Sequence, residues 1–307
     1  RKVRFAIPFR ASGVLVLCGR YFQRVFAILT GTESSDRGGP DVKKIILALG
    51  SILCASVANA SVIYDSIVSP LPYASVSEGY ECCQYSNLGN AVTFDGTDRQ
   101  LGDVTVVMTN WAYESEWTNL IGSSPDYTAA GFYLPLTLNL YAENGGSEGA
   151  LIGSQTLNAF IPWRPAPDPV NCPAGQNNVN NQWQAPDGQC YNGANSTVTF
   201  DFAGLTVPDN LIYTLAYNTQ NYGANPTGTS GPYNSLNFGL TTTGPTVGSD
   251  TYPGTLIGND QPEGAWAPYT PQVQFNASSA TPEPATWVLM FGSLAAVALV
   301  ARRRVKA

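Results

Sequence analysis

Between Ser61 and Thr281, apolar residues recur at every second position in short runs, with polar residues in the alternate sites. That period marks strands with one buried and one wetted face. The clearest run sets Leu134, Leu136, Leu138 and Leu140 on one side and Pro135, Thr137, Asn139 and Tyr141 on the other. Asn144-Gly145-Gly146 follows as a turn, and Leu151 to Ile161 reads as the returning strand. The same alternation predicts strands through Val62, Tyr64 and Ser66, through Val92 and Phe94, and through Val104, Val106 and Met108. It returns at Val198, Phe200 and Phe202, at Leu211, Tyr213, Leu215 and Tyr217, at Leu236, Phe238 and Leu240, and at Val273 and Phe275.

No stretch of this body carries a helical period. About nine or ten short strands separated by Gly, Pro and Asn turns predict an all-β fold, a jelly-roll-like β-sandwich over residues 61–281. One interruption stands out. Residues 162–195 hold six prolines and many Asn and Gln residues, a loop long enough to need a function or a staple.

The flanks follow different patterns. Val42-Lys43-Lys44 is a basic start, Ile45 to Val57 is apolar apart from small residues, and Ala58-Asn59-Ala60 is an Ala-x-Ala site. Residues 42–60 therefore read as an export signal helix cut between Ala60 and Ser61 by signal peptidase. Residues 1–41, with seven basic side chains, read as translated upstream sequence ahead of a start at Val42, or as an extended cytoplasmic n-region, with no fold of their own. At the other end, Trp287 to Ala301 is uncharged and precedes Arg302, Arg303 and Arg304. As a helix its 15 residues reach about 22 Å, short of the roughly 30 Å hydrocarbon core. Trp287 at the interface and snorkelling arginines make up the difference, and the arginines hold the C-terminus in the cytoplasm.

The order Pro282-Glu283-Pro284, apolar segment, Arg302-Arg303-Arg304 resembles the PEP-CTERM sorting signal of Gram-negative bacteria. The resemblance implies recognition by an exosortase, a membrane cysteine protease-transpeptidase that cuts near the Pro-Glu-Pro. It further implies an inner-membrane intermediate held by a transmembrane helix over 287–301, delivery to the cell surface or extracellular matrix, and a host that makes an extracellular polysaccharide. Within the body, Ile161 to Pro165 and Gly231 to Phe238 look similar to segments of uncharacterised exported bacterial proteins; no activity comes with that likeness.

Charge changes the picture next. The whole chain carries −7, but residues 61–281 hold 18 Asp and Glu against Arg99 and Arg164 alone, a balance of −16. Such a surface repels nucleic acid and anionic polymers. The chain has no histidine, which removes Ser-His-Asp and Cys-His catalysis and the histidine-ligated metal sites. Cys82, Cys83, Cys172 and Cys190 remain in the body. Cys172–Cys190 is the favoured disulfide because it closes a local loop, leaving Cys82 and Cys83 as a vicinal disulfide or free thiols. Their spacing matches no four-cysteine metal site.

Three constellations offer chemistry. Loop aromatics Trp163, Trp183, Tyr191, Tyr222, Tyr233 and Trp266 supply faces that stack on sugar rings beside Asn, Gln and Asp. The commoner use of such rings is to pin loops to a core. Glu114 and Glu116 share a face if they lie on a strand, but neighbours on one strand do not flank a glycosidic bond as acid and nucleophile. Asp95-Gly96-Thr97-Asp98 offers oxygens for a structural calcium ion, with a plain Asp-Gly turn as the simpler reading. The expectation is an exported, non-catalytic surface or matrix protein that binds glycans and needs no cofactor. The alternative is a glycoside hydrolase working with Asp and Glu only.

Overall fold

The computed structural model describes residues 61–173 and 181–278, and the compact unit of the fold spans Ala58–Thr281. The upstream segment, the export signal with Ala58 and Ala60, the sorting motif and the apolar segment 287–301 lie outside the described residues. No helix among the described residues is long and apolar enough to cross a membrane.

The chain is mostly strand. In order it forms β1 (Ser61–Asp65), β2 (Val76–Gly79), the single-turn helix α1 (Tyr80–Cys83), β3 (Asn87–Thr93), β4 (Gln100–Asn110) and β5 (Tyr127–Thr128). The long hairpin β6 (Gly131–Asn144) and β7 (Ser147–Pro162) follows, then the small pair β8 (Trp183–Gln184) and β9 (Cys190–Tyr191). After β10 (Ala194–Thr206), β11 (Asn210–Ala216) and β12 (Leu236–Thr241) come β13 (Ser249–Asp250), β14 (Leu256–Gly258), β15 (Gln261–Glu263), β16 (Thr270–Pro271) and β17 (Val273–Ala277).

These segments build two antiparallel sheets, as a β-sandwich requires. In one sheet β4 is central: β10 runs along one edge, while β17 and then β12 share the other, with β1 beyond β17 and β2 beyond β12. The second sheet runs β7, β6, β11, β3, β14 and β15, with β5 and β13 as short additions. The chain passes repeatedly from one sheet to the other, so neighbours in a sheet are mostly distant in sequence.

Alternation explains the core. Leu136, Leu138 and Leu140 of β6 are fully buried, as are Val104, Val106 and Met108 of β4 and Leu211, Tyr213 and Leu215 of β11. Each such side chain contributes roughly 1.5–3 kcal/mol by leaving water. Phe275 joins the layers, with Tyr213 of the opposite sheet 5.5 Å away and Phe94 at 5.1 Å. Two core tyrosines bring their hydroxyls to partners: Tyr80 donates to the Leu215 carbonyl at 2.7 Å and Tyr64 to Asp250 at 2.6 Å, while the buried Tyr213 hydroxyl has none. The β6–β7 turn is Gly145-Gly146, both at positive φ (61° and 88°), the geometry of a two-residue hairpin.

Three expectations need correction, and one stretch without alternation adds strands. A register shift between Val62 and Tyr64 bulges β1, so Ile63 and Tyr64 are both buried and Val62 faces water. Alternation fails there because one extra residue re-aims the side chains. The stretch 242–272, which shows no alternation, supplies β13 to β16, each of two or three residues and too short to display a period. The 162–195 interruption includes the β8–β9 pair. Finally, Glu114 and Glu116 lie on a 3₁₀ turn, Glu114–Glu116, not on a strand.

Candidate functional site

One end of the sandwich gathers the ends of β4, β7 and β9 and the starts of β6, β10 and β12. The buried Arg164 organises it. Its Nε donates to the Trp111 carbonyl at 2.6 Å and its Nη1 to Pro165 O at 2.9 Å, while the guanidinium lies 4.5 Å from the Tyr113 ring centroid. Two aromatic surfaces flank this junction.

The first is a cleft of about 190 Å³ lined by Tyr127, Tyr133 and Tyr233 together with Asp126, Leu134, Pro135, Asn218 and Thr227. Tyr133 projects from β6 opposite Phe160 of β7, the rings 5.1 Å apart, and is 38% exposed. Its backbone N–H donates to Asp126 O at 2.8 Å, which anchors the loop that carries Tyr127. Tyr233 sits in the 3₁₀ turn Pro232–Ser235 with its hydroxyl donating to Thr229 O at 2.6 Å. Gly231 must lack a side chain there, since a Cβ would stand 2.3 Å from the Tyr233 ring. Burial, then the neighbouring Tyr233 and Asp126, raises the Tyr127 hydroxyl pKa, keeping it a neutral donor. The cleft thus pairs rigid aromatic faces with hydroxyl, amide and carboxylate groups, the composition of a small polar-ligand site.

The second surface surrounds Gly193. Trp183 donates its indole N–H to the Gly193 carbonyl at 2.8 Å, and Tyr73, Trp183 and Tyr191 form a triangle with centroids 6.0–6.4 Å apart. Trp111, 40% exposed, lies against the Cα of Gly193. The loop is closed by the disulfide Cys172–Cys190, and Cys82 and Cys83 are free and exposed. The two free thiols follow one another in α1.

The predicted aromatics separate accordingly. Tyr233 lines the cleft and Tyr191 belongs to the triangle. Trp183 is buried and Trp163 half-buried against the core, with its indole N–H on Thr128 O at 2.9 Å and its ring 5.1 Å from Phe132. Both therefore act as braces, the commoner use of loop aromatics. Trp266 packs on the core, and Tyr222 closes a turn through its backbone bonds to Thr219. Tyr73, Trp111, Tyr127 and Tyr133 were not singled out as ligand contacts. Tyr133 follows the visible β6 alternation on its exposed side, which was the one signal available.

The carboxylates lie elsewhere. Asp126 is the one acid that lines the cleft. Glu148 of β7, half-buried, is raised to about 7 by burial and then by Asp260; Glu78 is raised by burial and then by Glu263. The Asp95–Asp98 turn is occupied by the protein's own cation. Arg99 donates to Asp98 O at 2.8 Å and Gly96 O at 3.0 Å, and pairs with Asp209 at 2.7 Å. Its guanidinium covers the main-chain carbonyls of this turn. Among the described residues no group of three or more His, Cys, Asp or Glu side chains is placed to hold a metal.

Comparison with known proteins bears on the tail. Residues 280–304 match the family model of the PEP-CTERM protein-sorting motif. No curated protein and no solved structure matches the chain. The tail is thus a PEP-CTERM sorting motif, and it implies an exported protein processed by exosortase and sorted to the cell surface.

Proposed function

We propose that the body is a non-catalytic glycan-binding domain of the cell surface or extracellular matrix, which holds saccharide units in the tyrosine cleft. The observation that carries this reading is the cleft itself: three ordered tyrosines and the polar groups of Asp126, Asn218 and Thr227 converge on a volume of about 190 Å³. Tyr faces take the apolar C–H side of a sugar ring, and the polar groups take its hydroxyls. The polysaccharide setting implied by the tail supports the same ligand class. The repeated crossing of the chain between sheets supports a jelly-roll-like sandwich. Residues 61–281 are the mature unit in this reading, after signal peptidase and exosortase have removed the flanks and the transient membrane anchor.

Non-catalysis is supported by the lone acid in the cleft, since glycoside hydrolysis without histidine calls for two carboxyl groups flanking one bond. The test uses the full purified chain in affinity electrophoresis through gels containing neutral polysaccharides, alongside a reducing-sugar assay. Retention that drops for Tyr133→Ala and Tyr233→Ala is expected, without new reducing ends. Sugar release abolished by one carboxylate substitution would instead establish the hydrolase alternative.

A further inference from the structure

We infer a second glycan-binding surface on the outer face of the β4–β10 sheet, with Trp111 as its stacking platform, Tyr73 and Tyr191 as its flank, and a neutral polysaccharide chain as its ligand. The inference rests on the glycan reading above but not on the tyrosine cleft.

Trp111 continues β4 one residue past Asn110, and Gly193 precedes Ala194, the partner of Asn110 in β10. The two positions therefore face each other across the ladder. A Cβ at residue 193 would stand 2.9 Å from the indole Cδ1 and Nε1 of Trp111 and 2.5 Å from Thr109 Cγ2. The indole lies against a bare Cα that only glycine provides. One side is backed by the main chain while the ring stays 40% exposed, an unusual disposition for the largest apolar side chain.

The platform is held in place. The Trp111 backbone N–H donates to Ser235 O at 2.9 Å and its carbonyl accepts from buried Arg164 at 2.6 Å. The Gly193 carbonyl, in turn, receives the Trp183 indole N–H, so a single glycine supports both the open ring and the brace beneath the flank. Tyr73, 44% exposed, meets Trp183 edge-on at 6.2 Å, and its carbonyl accepts from Asn195 N–H at 2.8 Å. Rings fixed in advance lose little freedom when a ligand arrives.

The neighbouring sheet face carries hydroxyls and amides. Along β10 the same face exposes the Thr197 and Thr199 hydroxyls, the latter 2.9 Å from that of Thr105, whereas Thr109 is fully buried and spends its hydroxyl on Asn195 at 2.7 Å. An exposed ring bordered by such groups matches a sugar, which has a C–H face and a hydroxyl rim. Charge selects among sugars. Eighteen acids against two arginines, one of them buried, repel uronate or sulfate chains and leave neutral glycans favoured.

The experiment is affinity electrophoresis of the full chain in gels containing a neutral β-glucan, with alginate as the polyanion, for the parent, Trp111→Ala, and the Tyr133→Ala/Tyr233→Ala pair. Thermal melting of each variant checks folding. Trp111→Ala is expected to weaken retention roughly tenfold or more, as truncation of an aromatic anchor does, with an unchanged melting temperature. Unchanged retention of Trp111→Ala, with loss in the tyrosine pair, overturns the second surface and leaves the cleft. Loss in Trp111→Ala alone upholds the surface and removes the cleft. Stronger retention by alginate than by the neutral glucan overturns the ligand class, and no retention of the parent by any glycan overturns both sites.

Discussion

Glu148 allows a quantitative test of the outer face of the β6–β7 sheet. It pairs across the hairpin with Glu143, and Asp260 faces it from the β14–β15 turn. Its Oε1 is buried without a hydrogen-bond partner. Glu143 directs its carboxylate to Gly146 N–H at 2.6 Å and the Tyr252 hydroxyl at 2.7 Å. Burial and then Asp260 raise Glu148 from 4.5 to about 7. The folded state therefore holds a proton that the unfolded state releases, so stability falls as pH rises from about 4.5 to 7 and levels off above that. A raise of that size corresponds to at most about 3.4 kcal/mol. Half-exposure reduces this to about 1–2 kcal/mol through solvent screening. Glu148→Gln, the neutral isostere, should then raise the melting temperature at pH 8 by roughly 2–8 °C and leave it unchanged at pH 4. Differential scanning calorimetry at both pH values is the assay. An equal shift at the two pH values, or destabilisation at pH 8, would refute the reasoning.

Three further perturbations probe the frame. Cys172→Ala/Cys190→Ala opens a loop with a sequence separation of 18 and should cost about 3 kcal/mol, measured by urea unfolding of oxidised parent against variant. Gly89→Ala would place a Cβ 1.7 Å from the Tyr213 carbonyl in the middle of a sheet, so the variant should lose cooperative melting or most of its stability, seen by circular dichroism. Arg164→Met leaves the Trp111 carbonyl without its donor and should cost about 1–3 kcal/mol in the same urea assay, against little change for an exposed control such as Asp187→Asn.

The parts of the fold legible in the sequence were those where one residue type repeats often enough to show a period. Leu134 to Leu140 announced β6 because four identical side chains fall on one face. β14, with only Leu256 to Gly258, could not announce itself, and its place comes from pairing with Gly89 and Leu88 far away in sequence. The same limit governed the sites. Tyr233 stands out in a loop, whereas the value of Trp111 depends on a glycine 82 positions later and on an arginine between them. Arg99 filling its own turn was equally invisible: the four carbonyls it approaches become neighbours only after the turn closes.

The position of β17 has a consequence for how the protein is made. It is the last strand before the sorting motif, yet it lies between β1 and β4, and at Gln272 the chain leaves β12 to join β4. Gln272 is fully buried and bonds Ser75 and the Leu240 carbonyl, locking that departure. A chain that stops short of Val273 leaves the first strand without a partner and the central strand half-paired. Sheet closure thus proofreads length: only a chain completed nearly to its sorting address can finish the domain that the address delivers.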